Sequence, residues 1–308
     1  MTIPSPDLLA SPFFPSFRLL DLEAGGVHFS GVIGGEGPPV LLLHGYPQTH
    51  IAWRRIAPEL AKRYTVITPD LPGYGASRQL EMTQRWTKRR VGQALVALMG
   101  RLGFNHFAVV GHDRGARVGY RMSLDHPNRV RAYASLTVVP TLDALRAMDF
   151  HAGMRAFHWF FLAQEEDLPE RMLAANPDAF IDRALARLTG GREILESAAI
   201  QAYRDAFRLP SVRHAICEDY RAAMEEDLEM DAADRESTRK MPCPVLVLWP
   251  AADVLPGAST PIHDWLRWAE DVSGVATGGG HLQPEDAPDE VLEALLPFLA
   301  KNHLDTVR

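Results

Sequence analysis

Short, unbroken apolar runs alternate with helical stretches through the first half of this chain. No other feature restricts its fold as tightly. The runs are "PPVLLLHG", "YTVITPD", "HFAVVG" and "VRAYASLTVV". They lack the strict apolar–polar alternation of a half-exposed strand, so each predicts a strand covered on both faces. Between them, "IAWRRIAPELAKR" and "RRVGQALVALMGRLG" carry helical spacing, the second stopping at Gly103. Strand and helix in repetition predict a parallel sheet with helices on both sides. The sheet resumes late, in "PCPVLVLWPAAD" and "SGVATGGGH", and "DEVLEALLPFLAKNH" predicts a closing amphipathic helix.

Between 141 and 228 no strand pattern occurs, and the stretch reads as helices rich in Arg, Glu, Ala and aromatics. The predicted architecture is therefore an α/β core built from residues 1–140 and 229–308, with a helical cap over 141–228. An insertion over the C-terminal strand ends makes a lid. With 46% hydrophobic and 23% charged residues, the 308-residue chain has the composition of a soluble globular protein. Its net charge of −7 argues against nucleic acid as a partner. No apolar run approaches the ~18 residues of a membrane span, and the first residues, "MTIPSPDLLASPFFPSF", lack a basic start and apolar core. A cytoplasmic protein away from membranes is expected. Cys217 and Cys243 show no metal-ligand spacing, so free thiols are expected, with no metal and no cofactor.

In a parallel sheet, ligands bind at the C-terminal strand ends. Asp113 and Arg114 follow "FAVVGH", Asp253 follows "VLVLWPAA", and His281 follows "SGVATGGG". Nucleophile, acid and histidine in that order match the α/β-hydrolase triad, and Gly-x-Asp-x-Gly after a strand matches its nucleophile elbow. An aspartate at the apex can displace a leaving group from saturated carbon, giving an ester on the enzyme. His281 would then activate water against that ester, with Asp253 orienting the imidazole. The backbone N–H groups of Tyr46 and Arg114 are the candidate oxyanion hole. Alone, Asp113 reads as a helix N-cap, Asp253 as a turn residue and His281 as a loop histidine.

Arg114 and Arg117 share a face in the first turns of the following helix, where the macrodipole disfavours cations. A bound carboxylate would justify the pair through paired N–H···O bonds, whereas Arg121, one turn on, reads as structural. In the cap, "MRAFHWFFLAQ" brings His158 and Trp159, and "CEDYRA" brings Tyr220. Taken singly, His158 reads as a core histidine and Trp159 as packing. Converging, their neutral N–H and O–H donors would stabilise a departing halide.

Together "HGYPQTH", "DLPGYG", "GHDRGARV", "FHWFFLAQ", "CEDYRA" and "GGGHLQPEDAP" resemble the fluoroacetate dehalogenase branch of the α/β-hydrolases, from about Phe17 to Ala300. The resemblance implies hydrolytic dehalogenation of a short anionic 2-haloacid and a homodimer. Asp113 is then the nucleophile, His281 the base, Arg114 and Arg117 the carboxylate clamp, and His158, Trp159 and Tyr220 the halide pocket. Tyr46 stands where that branch commonly has phenylalanine. The branch also places its triad acid in an "LDILPT"-like segment, where this chain reads "LTVVPT" with Thr137, so Asp253 is expected as a relocated acid. An epoxide hydrolase would use the same Asp113 and His281 with cap tyrosines, Tyr220 and Tyr203 being the candidates. A haloalkane dehalogenase would carry tryptophan where Arg114 stands, and a non-catalytic anion receptor would not need the triad.

Overall fold

The computed structural model describes residues 11–80 and 85–302, so most of the N-terminal stretch read for targeting (1–10) lies outside the described residues. Nine strands form one sheet: β1 (Arg18–Ala24), β2 (Val27–Gly34), β3 (Pro39–Leu43), β4 (Thr65–Pro69), β5 (Arg78–Gln79), β6 (Phe107–His112), β7 (Val130–Leu136), β8 (Val245–Pro250) and β9 (Val272–Thr277). The spatial order is β1-β2-β4-β3-β6-β7-β8-β9, with β5 paired to β2. From β4 to β9 every pairing is parallel. Every residue of β3, β6 and β8 is buried, which is why those strands read as continuous apolar runs.

The antiparallel edge follows different rules. β1 and β2 pair with Ala24 opposite Val27. The two intervening glycines, Gly25 and Gly26, have φ of 56° and 79°, the double left-handed turn that closes a twisted hairpin. The segment "IAWRRIAPELAKR" departs from the expected single helix. It forms a 3-10 turn at His50–Trp53 and one helical turn at Ala57–Leu60. Pro58 lacks the N–H that would continue a helix from Trp53, so the helix restarts there.

From Thr141 to Glu236 the chain runs through eight helices. The expected cap boundary at 228 falls inside the last of them, Glu226–Glu236. Asp231 and Asp234 of that helix bond Arg121 at 2.8 Å and 2.5 Å, which fastens it to the core helix Arg114–Asp125. In β order, β4 lies on one side of β3 and β6 on the other, so the sheet changes direction between β3 and β6. A ligand crevice opens at such a switch point, beyond the carboxyl ends of the strands. Tyr46 follows β3 and Asp113 follows β6, and both face that crevice. No helix among the described residues is long and apolar enough to cross a membrane.

Candidate active site

Asp113 sits between β6 and the helix Arg114–Asp125 with φ 49° and ψ −114°. A side chain in that region of backbone space costs energy that the surrounding fold must supply. Two glycines make the elbow possible. A Cβ at Gly111 would meet Ala116 Cα at 2.5 Å, and one at Gly115 would meet the Leu43 carbonyl oxygen at 2.3 Å. The Asp113 carboxylate does not cap its own helix, which sets aside the N-cap reading. Instead, Oδ1 accepts the Tyr46 N–H at 2.9 Å, and Oδ2 stands 3.5 Å from His281 Nε2. Burial alone would raise the acid's pKa. The neighbouring His281, His112 and Arg114 outweigh it and hold the carboxyl far below its ordinary range. Asp113 is thus an ionised, oriented carboxylate.

His281 lies on the loop after β9, and its backbone carbonyl accepts a bond from His112 Nε2 at 2.7 Å. Burial lowers the His112 pKa to about 4, so the ring is neutral at pH 7 and donates that N–H. Asp253 is not joined to His281. It ends an exposed 3-10 turn after β8 and makes no hydrogen bond or ion pair among the described residues. Thr137, directly after β7, has φ 70°, and its hydroxyl donates to the Leu136 carbonyl at 2.7 Å. The second ring nitrogen of His281 therefore faces no carboxylate among the described residues.

The helix behind the elbow buries Arg114, Arg117 and Arg121, each 2% exposed, and their partners differ. Arg121 has Asp231 and Asp234, in keeping with a structural role. Arg114 Nε donates to Asp219 Oδ2 at 2.6 Å, and Asp219 also pairs with Lys88 and accepts from the Tyr74 hydroxyl at 3.1 Å. Arg117 has no carboxylate partner among the described residues. Its Nη1 donates to Thr141 Oγ1 at 2.8 Å and to the Val139 carbonyl at 3.3 Å, while Nε is buried without a partner. Burial and the neighbouring Arg114 push its pKa down. A buried guanidinium without a counter-ion costs several kcal/mol unless an anion arrives. Asp219 lies inside the "CEDYRA" stretch beside Tyr220, whereas no sequence signal marks Lys88.

The cap closes over these groups. The Arg114 guanidinium lies 4.2 Å over the Tyr220 ring, and that of Arg117 lies 4.7 Å over Trp159. The rings of Tyr46, His158 and Tyr220 form a mutual cluster, with centroids 5.6–5.9 Å apart. Burial lowers the His158 pKa to about 4 and raises that of Tyr220 well above its ordinary value, so both are neutral donors at pH 7. No hydrogen-bond partner is found among the described residues for the His158 ring nitrogens, the Trp159 N–H or the Tyr220 hydroxyl. Tyr203 is elsewhere. Its hydroxyl donates to Glu285 Oε1 at 2.5 Å and accepts from Gln48 Nε2 at 3.1 Å. That buried knot ties the cap to the loops carrying Tyr46 and His281.

The alpha/beta hydrolase fold family matches residues 38–253. The chain belongs to this family. Among curated proteins, it is 34% identical to a fluoroacetate dehalogenase of Burkholderia sp over 93% of this chain and 95% of that protein. It is also 30% identical to a soluble epoxide hydrolase of Corynebacterium sp. (strain C12), over 89% and 94%. Among solved structures, a Pseudomonas aeruginosa protein provisionally assigned as an epoxide hydrolase is 50% identical. It superposes with a TM-score of 0.92 and covers 95% of this chain and 98% of its own. A threonine-to-aspartate mutant of that protein, with bound MFA, superposes with a TM-score of 0.91, at the same identity and coverage. This member of the α/β-hydrolases thus resembles the fluoroacetate dehalogenases along nearly its whole length, with epoxide hydrolases close by.

Proposed function

We propose that this hydrolase removes halide from short 2-haloacids such as fluoroacetate or chloroacetate, giving the 2-hydroxy acid. The observation that carries the reading is Arg117, a buried guanidinium without a carboxylate, beside an ionised aspartate on a strained elbow. A substrate carboxylate supplies the missing charge, with Arg114 alongside. It also needs that help, because an anion must approach the anionic Asp113.

In the first step an Asp113 oxygen attacks the halogen-bearing carbon, the carbon–halogen bond breaks, and its electron pair leaves with the halide. The unpartnered donors of His158, Trp159 and Tyr220 take that halide. In the second step His281 removes a proton from water, and the hydroxide adds to the ester carbonyl carbon. The oxyanion rests on the Tyr46 N–H, already 2.9 Å from Asp113 Oδ1, and on the Arg114 N–H. Collapse breaks the acyl–oxygen bond, and the proton held by His281 goes to the leaving alkoxide. Asp253, exposed and not joined to His281, takes no part in this step.

Tyr220, free and adjacent, also supports an epoxide hydrolase, as do the relatives that bear that name. Tyr203, engaged with Glu285 and Gln48, does not supply the second acid, and such an enzyme has no need for Arg117. The two readings separate on Arg117→Ala. For a haloacid enzyme, kcat/KM on chloroacetate falls about a hundredfold or more, while neutral chloroacetamide changes by less than threefold. Turnover of styrene oxide without halide release from fluoro-, chloro- or bromoacetate would establish the epoxide reading instead.

A further inference from the structure

Outside the crevice, the helical insertion holds an open cavity of about 810 Å³ with largely apolar walls. Tyr46 and His158 form part of its lining, and both belong to the ring cluster against Asp113 and Tyr220. The cavity therefore abuts the reaction centre through these two side chains. Its wall also carries Arg155, Arg183 and Arg187. None of the three has a carboxylate partner among the described residues, and the Arg187 guanidinium lies 5.6 Å over the Phe157 ring. The acids of the Arg183 and Arg187 helix, Pro177–Leu188, are spent on the neighbouring helix instead, Asp182 on Arg204 at 2.7 Å and Asp178 on Arg208 at 2.6 Å. Arg155 and Arg187 stand in last helical turns, where the macrodipole favours a cation. That makes the cluster tolerable and leaves its charge uncompensated.

We infer that this cavity is an anion-collecting vestibule, in which Arg155, Arg183 and Arg187 draw small organic monocarboxylates toward the Asp113 crevice. A chain of net charge −7 repels such a substrate at long range. A cleft of one charge sign with low-dielectric walls focuses the field and raises the local concentration of its counter-ion. The apolar walls and the unpaired arginines thus have one joint explanation. Arg187 is the inner member, since its guanidinium lies over Phe157, whose ring stands 6.1 Å from that of His158. The substrate class rests on the haloacid reading, whereas the anion-binding geometry does not.

The test is the triple variant Arg155→Gln/Arg183→Gln/Arg187→Gln. At low ionic strength, KM for chloroacetate rises about tenfold or more with kcat within twofold, and KM for chloroacetamide is unmoved. At ~0.5 M salt, where the screening length is a few ångströms, the difference between variant and parent closes. Binding of anilinonaphthalene sulfonate, an apolar anion followed by fluorescence, is read in parallel and weakens at least fivefold in the variant. Unchanged KM for chloroacetate together with unchanged dye binding overturns the vestibule and leaves dehalogenation standing. Weakened dye binding in a protein that releases halide from no haloacetate overturns dehalogenation and leaves the vestibule.

Discussion

Asp113 and Thr137 are both non-glycine residues with positive φ, 49° and 70°, and they end adjacent strands. For Asp113 the strain has an evident use, since it lifts the carboxylate out of its helix and toward the crevice. Thr137 is the costlier placement, because a β-branched side chain fits that region worst. An aspartate there would be less strained and would set a carboxylate beyond β7, the strand beside β6. Without a carboxylate on its second ring nitrogen, His281 forms its imidazolium unassisted. The ester step then lags, and halide appears as a burst of about one per active site before the steady rate. Thr137→Asp should raise the steady rate about tenfold or more without lowering the melting temperature. Rapid-quench halide assays and thermal melts check both. A linear halide trace in the parent with an unaccelerated variant would refute the account of the ester step.

At the scale of elements, the helix Arg114–Asp125 explains what the sequence revealed and what it hid. Its spacing puts Arg114 and Arg117 in the first turns with Arg121 one turn on, and the strand–Gly-x-Asp-x-Gly–helix order marks the elbow. Both are local patterns. The parallel strands were legible because burial on both faces leaves unbroken apolar runs. Partners were not legible. Asp219 meets Arg114 from 105 positions away, and Asp231 meets Arg121 from 110, so no local pattern ties them together. Nor could spacing reveal that Arg117 is left unpaired, which is the feature that bears most on substrate. Asp253 shows the converse. Its place after β8 suited a triad acid, yet the turn Ala251–Asp253 leaves it exposed. The hairpin β1–β2 carried its own signal in Gly25-Gly26 and alternating polarity, and it lies outside the strand–helix repeat that dominates the reading.

Across the whole molecule, buried titratable groups set a pH dependence. Burial holds His44, His112 and His158 at about 4 rather than 6.5. The unfolded chain therefore takes up protons that the native state refuses as pH falls below 6.5. This stability is present above that value and is lost toward pH 4, about 2 kcal/mol per imidazole between pH 7 and pH 5. Asp227, pushed up to about 6 by burial, acts oppositely and returns about 1 kcal/mol over the same range, and Asp231 and Glu285, also raised by burial, act in the same sense as Asp227. The depressed Asp113 and Asp219 stay ionised throughout the window and contribute no slope. Urea midpoints should thus drop clearly from pH 7 to pH 5, and an equal or higher midpoint at pH 5 would contradict the neutral-imidazole assignments.

The fold, the elbow and the unpaired arginine converge on one claim, that Asp113 attacks the halogen-bearing carbon of a carboxylate. Intact-mass and peptide-level spectrometry of His281→Asn after incubation with chloroacetate tests it most directly. The account predicts one carboxymethyl group per chain, located on Asp113, with one halide released for each. An unmodified Asp113 in a folded variant, alongside steady halide release by the parent, would contradict it.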